Sequence, residues 1–134
     1  MLTRLIYASQ TAEALSPTIV ESIVQQARPA NQRRHLSGML LFDSQRFLQV
    51  LEGERDAVSE VFCRIAKDTR HRHVVLLEAQ SVPERHFAAW SMGFAAADVR
   101  GRGLFQRFGS AADFDAHWMS SNSALGLMRA LAAG

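Results

Sequence analysis

The chain has 134 residues, of which 48% are hydrophobic, and its 15 basic and 13 acidic residues give a formal net charge of +2. This length suits one domain with a sizeable core, and so small a net charge does not by itself indicate a nucleic-acid-binding protein. No apolar stretch reaches the roughly 18 to 20 residues of a membrane-spanning helix, and no basic leader precedes the first strand pattern, so we expect a soluble, cytoplasmic protein.

The first element in the chain is a predicted strand. Residues 2 to 9 alternate with a period of two, which places Leu5, Tyr7 and Ser9 on one face. A helix is predicted next, because Ser16 precedes Pro17 as an N-cap precedes a proline in the first turn.

The first helix has a predicted end as well as a predicted start. Apolar residues recur at helical spacing up to Ala27. We expect the helix to stop before Pro29, because a proline inside a helix cannot donate the backbone hydrogen bond of its position.

A hairpin and a second helix are predicted next. The apolar runs 36 to 42 and 46 to 52 are joined by the polar residues 43 to 45, which favours an antiparallel hairpin. From Arg55 to Lys67 the pattern is that of an amphipathic helix. Cys63, the only cysteine, lies in this pattern and is predicted to be a small core residue; an intrachain disulfide and a cysteine-based zinc site are both excluded.

Two further strands complete a predicted sheet, at residues 73 to 79 and 88 to 94. The element order is then βαββαββ. Its first six elements match the ferredoxin-like arrangement, so we predict an α+β fold with a mixed five-stranded sheet that carries both helices on one face.

The composition changes after residue 96, where glycines at positions 101, 103 and 109 break the regular pattern. We therefore divide the chain into a sheet domain, 1–96, and a C-terminal extension, 97–134. One or two helices are expected in the extension, where they would cap the open sheet face or form an interface with a second subunit or a partner. The apolar positions behind this expectation are Leu104, Phe105, Phe108, Phe114, Trp118, Leu125, Leu127, Met128 and Leu131.

Two polar side chains interrupt apolar runs that are predicted to be buried strands. An unpaired buried polar group costs about 1 to 3 kcal/mol, so Tyr7, the only tyrosine, and Gln49 must find partners. If their strands are neighbours, a phenol and an amide can meet beside a bound ligand, with Asn31, Trp90 and Met92 as further candidates to line the site.

Two tight basic groups occur, at residues 33 to 34 and 70 to 72. A solvated surface is the simpler interpretation of both. The alternative is that their arginines hold the phosphates of a nucleotide cofactor through forked, charge-assisted hydrogen bonds.

Several separate motifs, in the same order, give the chain a family resemblance. Residues 2 to about 95 resemble a BLUF domain, the family of blue-light sensors that use a flavin. The matching stretches are Leu5-Ile6-Tyr7-Ala8-Ser9, Asn31 followed by Leu36-Ser37-Gly38-Met39-Leu40, Phe47-Leu48-Gln49-Val50-Leu51-Glu52-Gly53, Asp68 to His71, and Phe87-Ala88-Ala89-Trp90-Ser91-Met92.

The resemblance implies a photochemical role for five residues. Tyr7 would give an electron and a proton to the photoexcited flavin, and Gln49 would bridge the phenol and the flavin edge. Rotation or tautomerisation of the Gln49 amide would then store the signal as a new hydrogen-bond pattern, seen as a red-shifted absorption. Ser9 would adjust this network, and an exchange between Trp90 and Met92 beside Gln49 would relay the signal.

The resemblance also implies a set of cofactor-binding residues. Asn31 would hold the polar edge of the flavin ring, and Arg64, Asp68 and His71 match family positions near the ring and the ribityl chain. FAD is the family default, with FMN and riboflavin as alternatives. Ala30 departs from the family, in which the residue before this asparagine is often polar.

Two other classes of protein stay open at this point. One is a cofactor-free ferredoxin-like interaction module, in which Tyr7 and Gln49 only satisfy each other. The other is an acylphosphatase-like hydrolase, which would use an arginine and an asparagine on a phosphoryl group. For the photoreceptor we expect no catalytic activity, no metal, no direct contact with nucleic acid or membrane, a homo-oligomer, and a separate downstream protein partner.

Overall fold

The computed structural model describes residues 1–43, 45–96, 99–108 and 119–133. The elements in chain order are β1 (Leu2–Thr11), α1 (Pro17–Arg33), β2 (Ser37–Asp43), β3 (Arg46–Glu54), α2 (Arg55–Lys67), β4 (His71–Ser81), β5 (Gly93–Ala96), α3 (Val99–Phe108) and α4 (Ser121–Ala133). Across these ranges no helix combines the length and the apolar character needed to span a membrane.

The five strands form one mixed sheet in the order β4-β1-β3-β2-β5. β1 pairs antiparallel with β3 and β4, β2 pairs antiparallel with β3, and β5 adds in parallel to β2. The predicted α+β, ferredoxin-like fold is therefore confirmed, as is the β2–β3 hairpin. Ser44, in the middle of the predicted connection, lies outside the described residues.

Each face of the sheet packs against its own set of helices. Leu5 and Tyr7 of β1 lie on the face that packs against α1 and α2, as the period of two predicts. The alternate residues Ile6 and Ala8 contact the apolar side of α4 on the opposite face. The sheet is therefore covered on both sides, and residues 4 to 9 of β1 and 47 to 53 of β3 are all buried.

Helix α1 continues past Pro29, so the expectation that it ends before this residue is wrong. Pro29 is exposed, so the hydrogen bond that it cannot donate is lost where water is accessible. The same turn is held by tertiary contacts, because Arg28 Nε and Asn31 Nδ2 donate to the main-chain carbonyls of residues 92 and 91 at 3.0 and 2.8 Å. These bonds keep the last turns of α1 helical against the local preference.

The fifth strand is shorter and later than predicted. β5 spans Gly93–Ala96, whereas the sequence favours a strand over 88–94. The carbonyl groups of residues 90 to 92 accept hydrogen bonds from Gly38 N and from the side chains of Asn31 and Arg28. This segment is therefore held by both α1 and β2, and its regular strand pairing begins only at Gly93.

The glycines at positions 101 and 103, which interrupt the sequence pattern, lie inside α3, a helix of the C-terminal extension. Leu104, Phe105 and Phe108 pack with the apolar side of α4, and this packing supports the helix despite its low intrinsic propensity. Residue 109 and the predicted apolar positions 114 and 118 lie outside the described residues.

Cys63 is exposed rather than buried in the core. The inner side of α2 is formed by Val58, which is buried, with Val61, Phe62 and Ile65 packed beside it. Cys63 follows Phe62 by one residue, which turns it about 100° around the helix and away from this side.

Candidate functional site

A cavity of about 370 Å³ lies between the sheet and the helices α1 and α2. This volume is within the usual range of small-molecule pockets, about 300 to 1,000 Å³. Most of the lining is apolar: Leu15, Val20, Ile23, Val24, Ala27, Ala30, Leu40, Phe47, Leu51, Val61, Ile65 and Met92. The polar lining residues are Tyr7, Thr11, Asn31, Arg34, Gln49, Arg64, Arg70 and His71.

Tyr7 and Gln49 meet in the wall of this cavity. They are directly opposite each other in the register of β1 and β3, and the Tyr7 hydroxyl donates a hydrogen bond to Gln49 Oε1. The exposed fractions are only 2% for Tyr7 and 8% for Gln49. Burial raises the pKa of the Tyr7 phenol well above its usual value, so the hydroxyl stays protonated and acts as the donor.

The other end of the Gln49 amide contacts Met92. Gln49 Nε2 lies 3.3 Å from Met92 Sδ, a weak acceptor. Met92 is 4% exposed, whereas Trp90 is 36% exposed and packs over Gly93, where an added Cβ would lie 2.3 Å from the indole. The structure therefore places Met92, and not Trp90, beside Gln49.

Ser9 connects to the site through His71. Ser9 Oγ lies 3.0 Å from His71 Nδ1, and the imidazole packs against the ring of Phe47 with a centroid distance of 5.4 Å. Burial lowers the pKa of His71, with a smaller opposing effect of Asp68. Burial thus favours the neutral imidazole, which has one ring nitrogen as donor and the other as acceptor.

Asn31 lines the cavity from the last turn of α1. Its Nδ2 donates to the Ser91 carbonyl at 2.8 Å, which fixes the side chain. The amide has further hydrogen-bonding capacity beyond this bond. Asn31 therefore both lines the cavity and binds the segment that contains Met92.

Three arginines of the cavity reach solvent. Arg34 and Arg64 pair with Glu60 at 3.3 and 3.1 Å, and Arg70 pairs with Asp68 at 2.6 Å. Surface pairs of this kind contribute little to stability, so the guanidinium groups can exchange these partners for an anionic ligand.

Asp68 is the one residue of the predicted binding set that does not line the cavity. Its hydrogen bonds with Arg70 lower the pKa of the carboxyl to about 2. Asp68 therefore acts on Arg70 and His71 from outside the cavity. Within the described ranges, no group of three histidine, cysteine, aspartate or glutamate side chains has a metal-binding arrangement.

The sequence prediction misses two charged residues that anchor the segment between β4 and β5. Glu52 is fully buried, and its carboxylate accepts hydrogen bonds from Ser37 Oγ and from the main-chain N–H groups of His86 and Phe87. Arg28, on α1, holds the Met92 carbonyl. A glutamate inside the apolar run 47 to 53 is a recognisable signal, whereas nothing local marks Arg28.

Residues 2–93 match the family model described as BLUF, sensors of blue light using FAD. The chain belongs to the BLUF family. Because the family is described by its use of FAD, a flavin is the ligand that this cavity must be tested against.

Curated relatives share this domain within much longer proteins. The blue light- and temperature-regulated antirepressor BluF of Escherichia coli is 34% identical over 92 residues, which cover 69% of this chain and 23% of that protein. The photoactivated adenylate cyclase subunit beta of Euglena longa is 31% identical over 99 residues, 73% of this chain and 12% of that one. The chain thus spans less than a quarter of either relative.

Among solved structures, the photo-activated state of BlsA is similar along the whole chain. It has a TM-score of 0.87 and 28% sequence identity, and the alignment covers 100% of this chain and 96% of that one. The similarity therefore includes α3 and α4, beyond the residues that match the family model.

The cavity residues suit a flavin. A planar ring system fits an apolar space between helices and sheet, while Asn31 and Gln49 supply amide groups for its polar edge. The solvent-facing arginines suit phosphate groups. The chemistry of the lining thus agrees with the cofactor of the family.

Proposed function

We propose that this protein is a blue-light photoreceptor that holds an oxidised flavin non-covalently in the cavity and signals through Tyr7 and Gln49. The observation that carries this proposal is the continuous contact from the Tyr7 hydroxyl through the Gln49 amide to Met92, in the wall of a largely apolar cavity. The family membership agrees with it.

A bound flavin absorbs blue light and in its excited state is a strong one-electron oxidant. Tyr7 is the electron donor in this proposal, because a phenol is readily oxidised and it lies in the cavity wall. The phenol becomes strongly acidic once it loses an electron. Its proton then has an acceptor already in place, Gln49 Oε1.

Gln49 stores the signal. Its amide carries an acceptor at one end and donors at the other, so rotation or tautomerisation exchanges which group meets Tyr7 and which faces the cavity. The bond from Nε2 to the sulfur of Met92 is weak and opposes the exchange little. When the electron and proton return to Tyr7, the altered hydrogen bonds remain and shift the absorption slightly to the red.

Asn31 and the arginines hold the cofactor in this proposal. Asn31 binds the polar edge of the ring, His71 lies beside it, and Arg34, Arg64 and Arg70 bind the phosphates. These three cationic side chains favour FAD over riboflavin, which has no phosphate. Denaturing the protein and identifying the released flavin by chromatography distinguishes FAD, FMN and riboflavin.

The output of the photoreceptor is non-catalytic in this proposal and passes to a separate protein in the cytoplasm, without direct contact with nucleic acid. Met92 leads directly into β5, and α4 packs on the opposite face of the same sheet. A change at Gln49 and Met92 therefore has a short path to the C-terminal extension, which we propose as the partner or homo-oligomer interface.

Illumination of the purified protein tests the proposed function. We expect a yellow protein whose flavin spectrum shifts reversibly to the red under blue light without bleaching. A flavin that bleaches or does not respond would contradict a photoreceptor of this type. A protein that neither contains flavin nor binds added FAD would favour a cofactor-free interaction module.

A further inference from the structure

Three consecutive main-chain carbonyls between the cavity and β5 are each held by a different group. The carbonyl of Trp90 accepts from Gly38 N at 3.2 Å, that of Ser91 from Asn31 Nδ2 at 2.8 Å, and that of Met92 from Arg28 Nε at 3.0 Å. The carbonyls of residues 90 to 92 thus accept hydrogen bonds from β2 and α1, and β5 begins only after them.

The bond from Arg28 differs from the other two. A hydrogen bond from a guanidinium cation is stronger than one between neutral groups. It also ends on the residue whose sulfur contacts Gln49. Arg28 therefore acts directly on the position of Met92.

Arg28 and Asn31 lie three residues apart and bind adjacent carbonyls, at residues 92 and 91. Asn31 lines the cavity, whereas Arg28 is absent from its lining. A substitution of Asn31 therefore affects both ligand binding and the position of residues 90 to 92. A substitution of Arg28 affects only the position of this segment.

We infer that Arg28 is a positioning residue that holds Met92 beside Gln49 in the dark and controls how fast this arrangement is regained after light. This inference rests on the proposed function. Return to the dark state requires residues 90 to 92 to dock again on α1, and the Arg28 bond favours the docked form. Without Arg28, return is slower.

The test compares three variants of the full-length protein, each loaded with FAD. Arg28→Ala removes the donor and Arg28→Lys keeps a cation that can reach the same carbonyl. Arg33→Ala is the matched control, because Arg33 is an exposed arginine at the end of the same helix and, unlike Arg34, does not line the cavity. The measurements are flavin content, the rate of dark recovery after blue light, and amide hydrogen exchange of the peptide covering residues 88–96 in the dark.

We expect Arg28→Ala to keep its flavin, to recover at least threefold more slowly and to exchange faster in residues 88–96. Arg28→Lys should restore most of both properties, and Arg33→Ala should match the parent. Recovery and exchange at the parental rates in Arg28→Ala would overturn the inference. Faster exchange with unchanged recovery would indicate a purely structural role for Arg28 and would also overturn the inference.

The two proposals fail in distinguishable ways. A parent protein with no photocycle would overturn the proposed function and this inference with it. A parent that photocycles normally, alongside an Arg28→Ala variant with unchanged recovery, would overturn only the role of Arg28.

Discussion

Tyr7 and Gln49 are direct cross-strand partners at the centre of the sheet, and the phenol of one donates to the amide oxygen of the other. β1 and β3 both have a strand on each side, so neither residue can move far without disturbing the sheet. The groups able to change are thus the side-chain amide of Gln49 and the thioether of Met92. At Tyr7 and Gln49 themselves, the switch is thus restricted to side-chain hydrogen bonds, and a main-chain movement is left to residues 90 to 92, before β5 begins.

Tyr7→Phe should retain flavin but lose the red-shifted product. Phenylalanine keeps the ring and its packing while it removes the hydroxyl that Gln49 accepts from. The absorption spectrum before and after blue light checks this. Phe62→Leu is the control, because Phe62 packs on Tyr7 with ring centroids 5.5 Å apart and carries no redox role in our proposal. A normal photocycle in Tyr7→Phe would remove Tyr7 from the mechanism.

Gln49→Leu should likewise bind flavin without forming the red-shifted product, because leucine has a similar size and no amide to reorient. The phenol of Tyr7 loses its acceptor, so we also expect a loss of stability of about 1 to 3 kcal/mol. Gln45→Leu, at an exposed position before β3, serves as the matched control. A reversible red shift in Gln49→Leu would mean that another group stores the signal.

Asn31→Ala should weaken flavin binding about tenfold, the loss expected for one hydrogen bond to the ligand. Titration of the flavin-free protein with FAD gives the dissociation constant. Gln32→Ala changes a neighbouring amide that is exposed and outside the cavity lining, so it should bind as the parent does. Equal affinity in both variants would show that Asn31 does not anchor the cofactor.

Glu52→Ala should lower the free energy of unfolding by about 3 kcal/mol or more, because it leaves two main-chain N–H groups without their acceptor in a buried site. Glu52 is 0% exposed and holds the N–H groups of His86 and Phe87 at 2.6 and 3.0 Å. Urea unfolding of the flavin-free protein measures this. Glu54→Ala is the control at the exposed end of β3, where Glu54 pairs with the exposed N-terminal amine, and it should lower stability far less. Similar losses in both variants would contradict the anchoring role of Glu52.

Stability should fall as the pH is lowered from about 7 to about 5, and His71 should contribute to the slope. Burial lowers the pKa of folded His71, so the unfolded chain binds a proton there at pH values where the folded protein does not. The contribution is therefore present above the ordinary histidine pKa of about 6.5 and is lost below it. The pair of Asp68 and Arg70 does not contribute to this slope. Because the pKa of Asp68 in the folded protein is about 2, its effect on stability is confined to more acidic solutions.

Melting temperatures of the parent and of His71→Gln across this range check the prediction. The variant should show a shallower dependence on pH. Parallel curves for the parent and His71→Gln would contradict a buried, neutral His71.

The sheet and the polar pair are accessible to sequence reasoning because they follow from short-range patterns. Alternation places Tyr7 on the inner face of β1, and the β2–β3 hairpin is local. Their exact opposition requires the register of β1 against β3, which depends on packing between residues more than 40 positions apart and has no local signal.

The segment of residues 88 to 92 shows where such reasoning fails. Its apolar residues suggest a strand. However, side chains of α1 donate hydrogen bonds to the carbonyls of residues 91 and 92, and regular strand pairing begins only at Gly93. These same bonds carry α1 past Pro29. Both errors have one cause, since neither the end of α1 nor the start of β5 can be predicted without the contact between them. The positions of Trp90 and Met92 depend on it too.

The central claim is that the light signal is stored as a rearranged hydrogen bond of Gln49. The light-minus-dark infrared spectrum of the FAD-loaded protein tests this claim most directly. Our account predicts that a flavin carbonyl band moves to lower frequency on illumination, because the reoriented amide donates to it, and that this shift is absent in Gln49→Leu. An unchanged carbonyl frequency in the illuminated parent, or the same shift in Gln49→Leu, would contradict the account.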